Sequence, residues 1–210
     1  MDANRYVLWA LCAAIGYFLG SLNGAIIISR LIYRSDIRKY GSGNAGTTNM
    51  VRTFGWKRAV FVITIDALKV VATALAAQAL AGRTGLLIGA AAAVLGHAYP
   101  VFFRFKGGKG VLSGAILVLM VDWRAFLAVI AVFIAVLAIG RYVSLASMCA
   151  ALSFPLVFAL MGARSAGELI YASVMALFIV YLHRENIKRL INGTEHRVSS
   201  KRERNNGGAK

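Results

Sequence analysis

Long apolar stretches separated by short polar and basic segments dominate this sequence. Seven of them are candidate transmembrane helices, since the longer ones reach the roughly 20 residues that cross about 30 Å of hydrocarbon. They cover residues 6–33, 59–81, 85–103, 111–121, 126–139, 142–161 and 169–182. The pattern predicts an all-α integral membrane protein, a bundle of about seven transmembrane helices, with six or eight as the alternatives. The fourth and fifth stretches are short, so tilted or partly re-entrant helices are possible there.

The composition agrees with a membrane protein. Of 210 residues, 59% are hydrophobic and only 15% are charged, which is unusual for a soluble domain. Both cysteines, Cys12 and Cys149, fall inside apolar stretches, so neither a disulfide framework nor a metal cluster is indicated. The first apolar stretch exceeds a signal-peptide core and is therefore predicted to be a retained helix.

Basic residues are concentrated in alternate connections between the apolar stretches and at the carboxyl terminus. The net charge of +16 alone would permit nucleic-acid binding. Its one-sided placement instead matches the lysine and arginine bias of cytoplasmic loops. We therefore expect no nucleic-acid partner, the amino terminus outside and the carboxyl terminus in the cytoplasm. Residues 1–190 are expected to form one transmembrane domain, and residues 191–210 a basic, disordered tail that contacts anionic lipid.

The first basic loop is unusually rich in Gly, Ser, Thr and Asn. Residues 41–55 read GSGNAGTTNMVRTFG. Glycines allow successive backbone N–H groups to converge on an anion, and the guanidinium of an arginine adds a positive charge and two parallel hydrogen-bond donors. The candidate anion-binding residues are Ser42, Gly43, Asn44, Asn49 and Arg52. The loop also spells GxGxxG, but no strand precedes it, so the dinucleotide-binding interpretation is rejected.

A second basic loop contains a glycine turn. Residues 96–114 read GHAYPVFFRFKGGKGVLSG. The turn does not fit the phosphate-binding loop of nucleotide hydrolases, because the glycine before it and the serine or threonine after it are missing. Gly107, Gly108 and Lys109 could enclose a phosphate ahead of the helix that starts near residue 111. The basic residues there could equally be topology anchors, and His97 could simply be a packed histidine.

Two further groups of polar residues are predicted on the same side as these loops. One lies at the connection between the fifth and sixth apolar stretches, and the other follows the last stretch. His183 and Asn186 are three residues apart, so they share a face if the helix continues through them. Ser144 follows the fifth stretch. The alternative is that these are ordinary polar helix ends at the headgroups. Asp66 and Lys69 form an i, i+3 pair inside an apolar stretch, for which a structural role is slightly favoured over a polar cavity.

Four segments together resemble a known enzyme family. GSGNAGTTNMVR, HAYPVFFRFKGGKG, RYVSLAS and HRENIKRLINGTE, in this order, are similar to the bacterial acyl-phosphate:glycerol-3-phosphate acyltransferases. The resemblance extends over nearly the whole chain. Small departures occur at Thr47, Leu112 and Ser113, none of them a charged position.

The resemblance implies a seven-helix enzyme of the bacterial inner (cytoplasmic) membrane, with its active site facing the cytoplasm. It would transfer a fatty acyl group from acyl phosphate to the primary hydroxyl of sn-glycerol 3-phosphate, giving lysophosphatidic acid and phosphate in phospholipid synthesis. His183, Lys109 and Arg52 would be catalytic. The substrates would bind Ser42, Gly43, Asn44, Asn49, Gly107, Gly108, Ser144 and Asn186. No metal, cofactor or obligatory protein partner is expected.

One alternative function remains open at this level. A small multi-pass transporter of a phosphorylated or anionic solute would also place basic loops on one face. Transport usually requires access from both faces and often involves internal repeats. The sequence shows no internal repeat, so the enzyme is the favoured interpretation.

Overall fold

The computed structural model describes residues 3–161 and 165–198, and this part of the chain is helical and contains no strand. It comprises nine α-helices and two short 3-10 helices. The α-helices are α1 (Ala3–Gly20), α2 (Gly24–Tyr33), α3 (Thr47–Phe54), α4 (Trp56–Ala98), α5 (Val111–Val121), α6 (Trp123–Gly140), α7 (Val143–Met161), α8 (Ala166–Leu182) and α9 (Arg184–Ile191). The 3-10 helices cover Ile37–Lys39 and Val101–Phe103.

The first predicted span is broken into two helices. The break lies at residues 21–23, between α1 and α2, whereas the sequence pattern predicted one helix over 6–33. Asn23 causes the restart because its side-chain oxygen accepts a hydrogen bond from the backbone N–H of Ile26, as an N-cap does. Ser21 and Asn23 are fully buried. This polar part of the chain therefore faces the protein interior.

The 43 residues of α4 turn back on themselves in the middle. Ala81 and Gly82 have non-helical backbone angles, and Gly82 has φ of 60° and ψ of −148°, a conformation suited to glycine. Beyond this point the chain reverses. Lys69 contacts His97, and a Cβ on Gly89 would meet Thr73 and Ala77. The two halves of α4 correspond to the second and third predicted spans.

Small residues allow α1 to pack closely along α4. A Cβ added to Gly16 or Gly20 would collide with the backbone of Gly89 or Ala93. Small residues at four-residue spacing are a common means of close helix approach in membranes. These glycines of the first span therefore serve close helix packing.

The described residues form two compact units that divide after Trp123. The first unit contains α1 to α5, with α1 and α5 both packed on α4. In the second unit α7 packs on α8, and Phe154 stacks on Phe158 inside α7. Helices α5 to α8 lie where the last four spans were predicted, with ends that differ by at most three residues.

Four helical stretches of the described chain are long and apolar enough to cross a membrane: Ala3–Tyr33, Trp56–Phe103, Trp123–Gly140 and Val143–Met161. The pair α8 and α9, bent by 58°, would provide a fifth. Helix α5 is apolar but has only 11 residues. The all-α membrane architecture is confirmed, while the count of seven spans and the direction of the termini stay predictions.

Candidate active site

Asn49 organises the first glycine-rich loop. Its side-chain oxygen accepts a hydrogen bond from the backbone N–H of Ser42 at 3.0 Å. Its side-chain nitrogen donates to the carbonyls of Ile37, Tyr40 and Asn44 at 3.0–3.3 Å. The residue is 1% exposed, so these contacts occupy its amide inside the protein. Asn49, predicted as a substrate ligand, acts in this structure on the loop itself.

The other predicted residues of this loop are accessible. Ser42 and Gly43 are exposed, and Gly43 has φ of 72°. The loop leads into α3, which starts at Thr47 without a side-chain cap on its first turn. Within the described chain, the exposed side chain of Arg52 has no hydrogen bond or ion pair. Arg52 therefore presents an uncompensated positive charge.

The second loop packs tightly on the end of α4. The backbone N–H groups of Gly107 and Gly108 donate to the carbonyls of Ala98 and His97 at 3.0 and 3.1 Å. A Cβ on Gly108 would collide with the His97 ring and with the carbonyl oxygen of Ala45 in the first loop. The two amides predicted to bind phosphate are thus engaged within the protein. These glycines instead allow the two loops to touch.

Lys109 directly follows Gly108, at the contact between the two loops. It is half-buried between Gly108 and Gly110, both of which are buried. Gly110 has φ of 71° and begins α5 without a side-chain cap. One turn further, the hydroxyl of Ser113 is buried and has no partner among the described residues. Lys109 and the amino end of α5 therefore both lie next to the loop contact.

A buried polar cluster on α4 contacts the break between α1 and α2 and also the second loop. Lys69 Nζ lies 2.8 Å from Asp66 Oδ1, and Lys69 donates to the carbonyl of Leu22 and to His97 Nδ1, both at 3.0 Å. Asp66 also accepts from the N–H of Gly24 at 3.1 Å. Because an ammonium can only donate, His97 Nδ1 is the acceptor and its proton is on Nε2. The Asp66–Lys69 pair expected from the i, i+3 spacing is thus formed and buried, and its structural role stays a prediction.

Arg38 connects the two loops at the surface. Its guanidinium donates at 2.8 Å to the carbonyls of Phe103 and Lys106 and also contacts both oxygens of Asp36. The hydrogen bonds from Arg38, helped by those from Arg30, hold the pKa of the Asp36 carboxyl well below its ordinary value. The ionised carboxylate therefore fixes the guanidinium that joins the loops.

In the second unit, two of the predicted residues, Ser144 and Asn186, converge on one carboxylate. Glu195 Oε1 accepts from the Ser144 hydroxyl at 3.0 Å and from Asn186 Nδ2 at 2.8 Å. Its Oε2 accepts from Arg189 Nε at 2.7 Å. Burial raises the pKa of Glu195, but hydrogen bonds from Asn186, Arg189 and Ser144 outweigh it, so the pKa lies below its ordinary value. Ser144 and Asn186 are thereby brought together.

Residues 192–198 belong to this arrangement. The N–H of Glu195 donates to the carbonyl of Arg189, and that of Val198 to the carbonyl of Arg141. Arg197 donates to the Tyr142 hydroxyl at 2.8 Å. This part of the chain is held in place, which differs from the disordered tail expected from residue 191 onward. The rest of that predicted tail, residues 199–210, lies outside the described residues.

His183 marks the bend between α8 and α9. The helix does not continue straight through His183 and Asn186, since the two helices differ in direction by 58°. His183 is 2% exposed, and its Nδ1 lies 2.8 Å from the Ile179 carbonyl. A carbonyl can only accept, so Nδ1 carries the proton and Nε2 of the neutral ring is the basic nitrogen.

Sequence reasoning missed Arg38 and Glu195 as individual residues. Nothing in the local pattern separates Arg38 from its basic neighbours, because its role depends on carbonyls more than 60 positions away. Glu195 offered a weak signal, since it is an acid in a basic tail just after Gly193, which ends α9 with φ of 67°.

Comparison with known proteins agrees with this architecture. The sequence model of the family described as "Glycerol-3-phosphate acyltransferase" matches residues 10–193. A glycerol-3-phosphate acyltransferase of Thermoanaerobacter pseudethanolicus is 39% identical over 193 residues, which is 92% of this chain and 97% of the relative.

Two crystal structures of the integral membrane glycerol 3-phosphate acyltransferase PlsY are also similar. The glycerol 3-phosphate form has a TM-score of 0.85 and 39% identity, with 91% of this chain and 96% of that chain covered. The lysophosphatidic acid form has a TM-score of 0.82 and 38% identity, with 91% and 95% covered. The match extends through both glycine-rich loops and through the segment from Ser144 to Asn186. This chain therefore belongs to the glycerol-3-phosphate acyltransferase family.

Proposed function

We propose that this protein transfers a fatty acyl group from acyl phosphate to the primary hydroxyl of sn-glycerol 3-phosphate. The products are lysophosphatidic acid and inorganic phosphate, in the first acylation of bacterial phospholipid synthesis. The main support, beyond family membership, is the contact of Gly108 with the Ala45 carbonyl. That contact joins the segment carrying Lys109 to the loop that leads into α3.

The first unit supplies the positive charge for two phosphate groups. The first-turn N–H groups of α3 have no side-chain cap, and the amino end of a helix favours an anion. Arg52 is exposed and uncompensated, and Ser42 adds an exposed hydroxyl. Lys109 contributes a point charge at the second loop. In this proposal Arg52 grips one phosphate bidentately, while Lys109 neutralises the acyl phosphate.

The second unit supplies groups that orient the hydroxyl. Asn186 is 4% exposed, its Nδ2 is held by Glu195, and its buried Oδ1 has no partner within the described residues. A buried acceptor of this kind suits a glycerol hydroxyl. The Ser144 hydroxyl donates to the same carboxylate and so fixes its position relative to Asn186. Glu195 is thus a positioning residue for Asn186.

The chemical step needs no covalent enzyme intermediate, because acyl phosphate is already an activated mixed anhydride. The primary hydroxyl oxygen attacks the carbonyl carbon, and its proton passes to His183 Nε2. The tetrahedral intermediate then collapses, the bond from the carbonyl carbon to the phosphate oxygen breaks, and phosphate leaves with the electron pair. Protonated His183 returns its proton to the departing phosphate. Positive charge at Arg52 and Lys109 stabilises the oxyanion and the leaving group.

The membrane setting suits these substrates. An acyl chain is soluble in the bilayer, whereas both phosphates are charged and must stay at the polar boundary. We place the site at the cytoplasmic face of the inner membrane, where the basic loops are predicted to lie. The acyl chain then remains in lipid while the headgroup reacts in water.

Purified full-length protein tests the donor directly. We expect phosphate release and lysophosphatidic acid formation with palmitoyl phosphate and glycerol 3-phosphate, and no product when acyl-CoA or acyl carrier protein replaces the acyl phosphate. Product from acyl-CoA at a similar rate would overturn the donor assignment while leaving the family unchanged. Activity lacking with every donor would contradict the enzyme assignment itself.

Substitution of His183 tests the proton acceptor. His183→Gln retains a hydrogen-bonding side chain but cannot accept a proton, whereas His183→Ala removes both capabilities. General base catalysis contributes about 100- to 10,000-fold, so kcat should fall within that range in both variants. Near-wild-type kcat in the Gln variant would exclude His183 as the base and favour proton transfer to the substrate phosphate.

A further inference from the structure

The first unit carries a basic cleft that the proposed reaction does not use. It lies between the end of α2, the 3-10 helix Ile37–Lys39 and the 3-10 helix Val101–Phe103. Its volume is about 620 Å³, and it is lined by Arg30, Arg34, Ser35, Asp36, Arg38, Lys39, Phe102, Phe103 and Arg104. We propose that this cleft binds the headgroup of an anionic phospholipid of the surrounding bilayer.

Charge in the cleft is strongly unbalanced. Asp36 is the one acid among the described residues that line the cleft, and it is already paired with both Arg30 and Arg38 at 2.8 Å. The remaining bases are Arg34, Lys39 and Arg104, all of them exposed and without a hydrogen bond or ion pair within the described chain. Three uncompensated cations around one concave surface are complementary to an anion with several acceptor oxygens, and a phosphodiester is such an anion.

The cleft lies at headgroup depth. Two apolar stretches capable of spanning a membrane end at Tyr33 and Phe103. Arg34, Arg38 and Lys39 come within six residues after the first of those ends, and Arg104 directly follows the second. Arginines at such positions hold their charge at the polar boundary of the bilayer. A ligand in the cleft is therefore at the level of phospholipid headgroups.

An apolar surface continues from the cleft toward the membrane. Phe102, which lines the cleft, is 54% exposed and lies 6.3 Å from the ring of Phe18 on α1, itself 52% exposed. These rings offer a surface on which an acyl chain can lie. A basic cleft joined to an apolar strip matches a lipid molecule better than a soluble phosphate, which has no apolar part.

The backbone holds two of the cations in place. Arg34 and Arg104 adopt φ of 50° and 60°, a left-handed conformation that is uncommon for residues other than Gly, Asn and Asp. Asparagine tolerates that conformation, so Arg34→Asn and Arg104→Asn remove charge with little change in backbone strain. The exposed Lys57 and Lys188 lie outside the cleft and allow a control with the same loss of charge.

Native mass spectrometry of the full-length protein with equal amounts of dioleoylphosphatidylglycerol and dioleoylphosphatidylcholine tests this proposal. Each basic contact favours anionic lipid several-fold, so the preference for phosphatidylglycerol should fall about 10- to 30-fold in R34N/R104N and by less in each single variant. K57Q/K188Q should retain the wild-type preference. Thermal unfolding in lipid-free detergent verifies that the variants fold.

Three outcomes would overturn the proposal. An unchanged preference in R34N/R104N would place the lipid elsewhere, and an equal loss in K57Q/K188Q would show that net charge alone attracts it. Displacement of bound lipid by millimolar glycerol 3-phosphate would make the cleft a site for soluble phosphates. The proposal does not depend on which acyl donor is used, so it stands or fails separately from the proposed reaction.

Discussion

Individual side chains in this protein divide between those that shape the loops and those that present charge. Asn49 and Glu195 are held by several hydrogen bonds each, and both fix other residues. Arg52 is exposed and has no such contact within the described chain. The sequence alone does not separate these roles, because Asn49 and Arg52 stand in the same motif and differ only in what surrounds them.

Arg52→Lys tests the bidentate phosphate contact. Lysine retains the charge but has one ammonium in place of the planar guanidinium fork. Loss of one charge-assisted hydrogen bond of about 1.5–3 kcal/mol corresponds to a decrease of roughly 10- to 150-fold in kcat/KM. Steady-state kinetics with varied glycerol 3-phosphate measures it. The matched control is Arg58→Lys, for which we expect unchanged kinetics, and unchanged kinetics in Arg52→Lys would remove the assignment.

Glu195→Gln tests the carboxylate that holds Ser144 and Asn186. The folded-state pKa of Glu195 is depressed, so its ionised form stabilises the fold at pH values above the ordinary glutamate pKa of about 4.3. That stabilisation is lost as the pH falls through the depressed pKa. We expect the wild type to lose thermal stability on acidification more steeply than Glu195→Gln. The variant should be less stable than the wild type at neutral pH, where Arg189 loses its ion pair.

Thermal unfolding between about pH 2 and about pH 7 measures both effects, because a carboxyl group titrates over about two units on either side of its pKa and the loss begins near the ordinary value of about 4.3. Glu185→Gln is the control, because Glu185 is exposed and, among the described residues, pairs only with the exposed Lys188 at 3.2 Å. Identical pH profiles for wild type and Glu195→Gln would show that the carboxylate does not stabilise the fold. Reduced activity with an unchanged profile would limit Glu195 to positioning Asn186.

At the level of helices, the hydrophobic pattern predicted the positions of the helices well, but it predicted the breaks within them less well. α5 coincides with a predicted span, because its apolar run is bounded by Gly110 and Asp122. The interruption at residues 21–23 was missed, since two polar residues, Ser21 and Asn23, do not outweigh a long apolar stretch. What stabilises it is the contact of the Leu22 carbonyl with Lys69, 47 residues away. No local pattern contains that information.

Lys69→Met tests the buried cluster that supports the broken helix. Removal of Lys69 leaves the buried Asp66 carboxylate without its ammonium partner, which costs about 3–5 kcal/mol. Asp66→Asn/Lys69→Met removes that charge as well and should be less destabilised than Lys69→Met alone. Chemical unfolding in detergent micelles measures both. Lys57→Met, at an exposed position of the same helix, should be near neutral.

Additive effects would contradict this view of the Asp66–Lys69 pair. If the double variant is destabilised by the sum of the single effects, the two side chains do not compensate each other. Loss of activity without loss of stability in Lys69→Met would instead show that the cluster acts mainly on the Gly107–Gly108 turn through His97.

At the scale of the whole molecule, the sequence predicted the membrane class and the family but not the contacts within each unit. The basic loops were expected on one face, and the structure adds that the two glycine loops of the first unit touch through Gly108 and Ala45. It also adds that Glu195 draws Ser144 and Asn186 together in the second unit. Both contacts join residues far apart in the chain, which motif spacing cannot reveal.

Sealed proteoliposomes test the predicted orientation of the active site. Glycerol 3-phosphate is charged and crosses a bilayer poorly, so acceptor added outside reaches only molecules whose basic loops face outward. We expect the rate with external acceptor, divided by the rate after permeabilisation, to equal the fraction of molecules whose carboxyl-terminal tag is cleaved by external protease. Permeabilisation should release the remaining activity. A rate that follows the protease-protected fraction would place the active site on the face opposite the carboxyl terminus. If labelling also finds the first basic loop on the same side as the carboxyl terminus, that result would exclude an active site built from this loop.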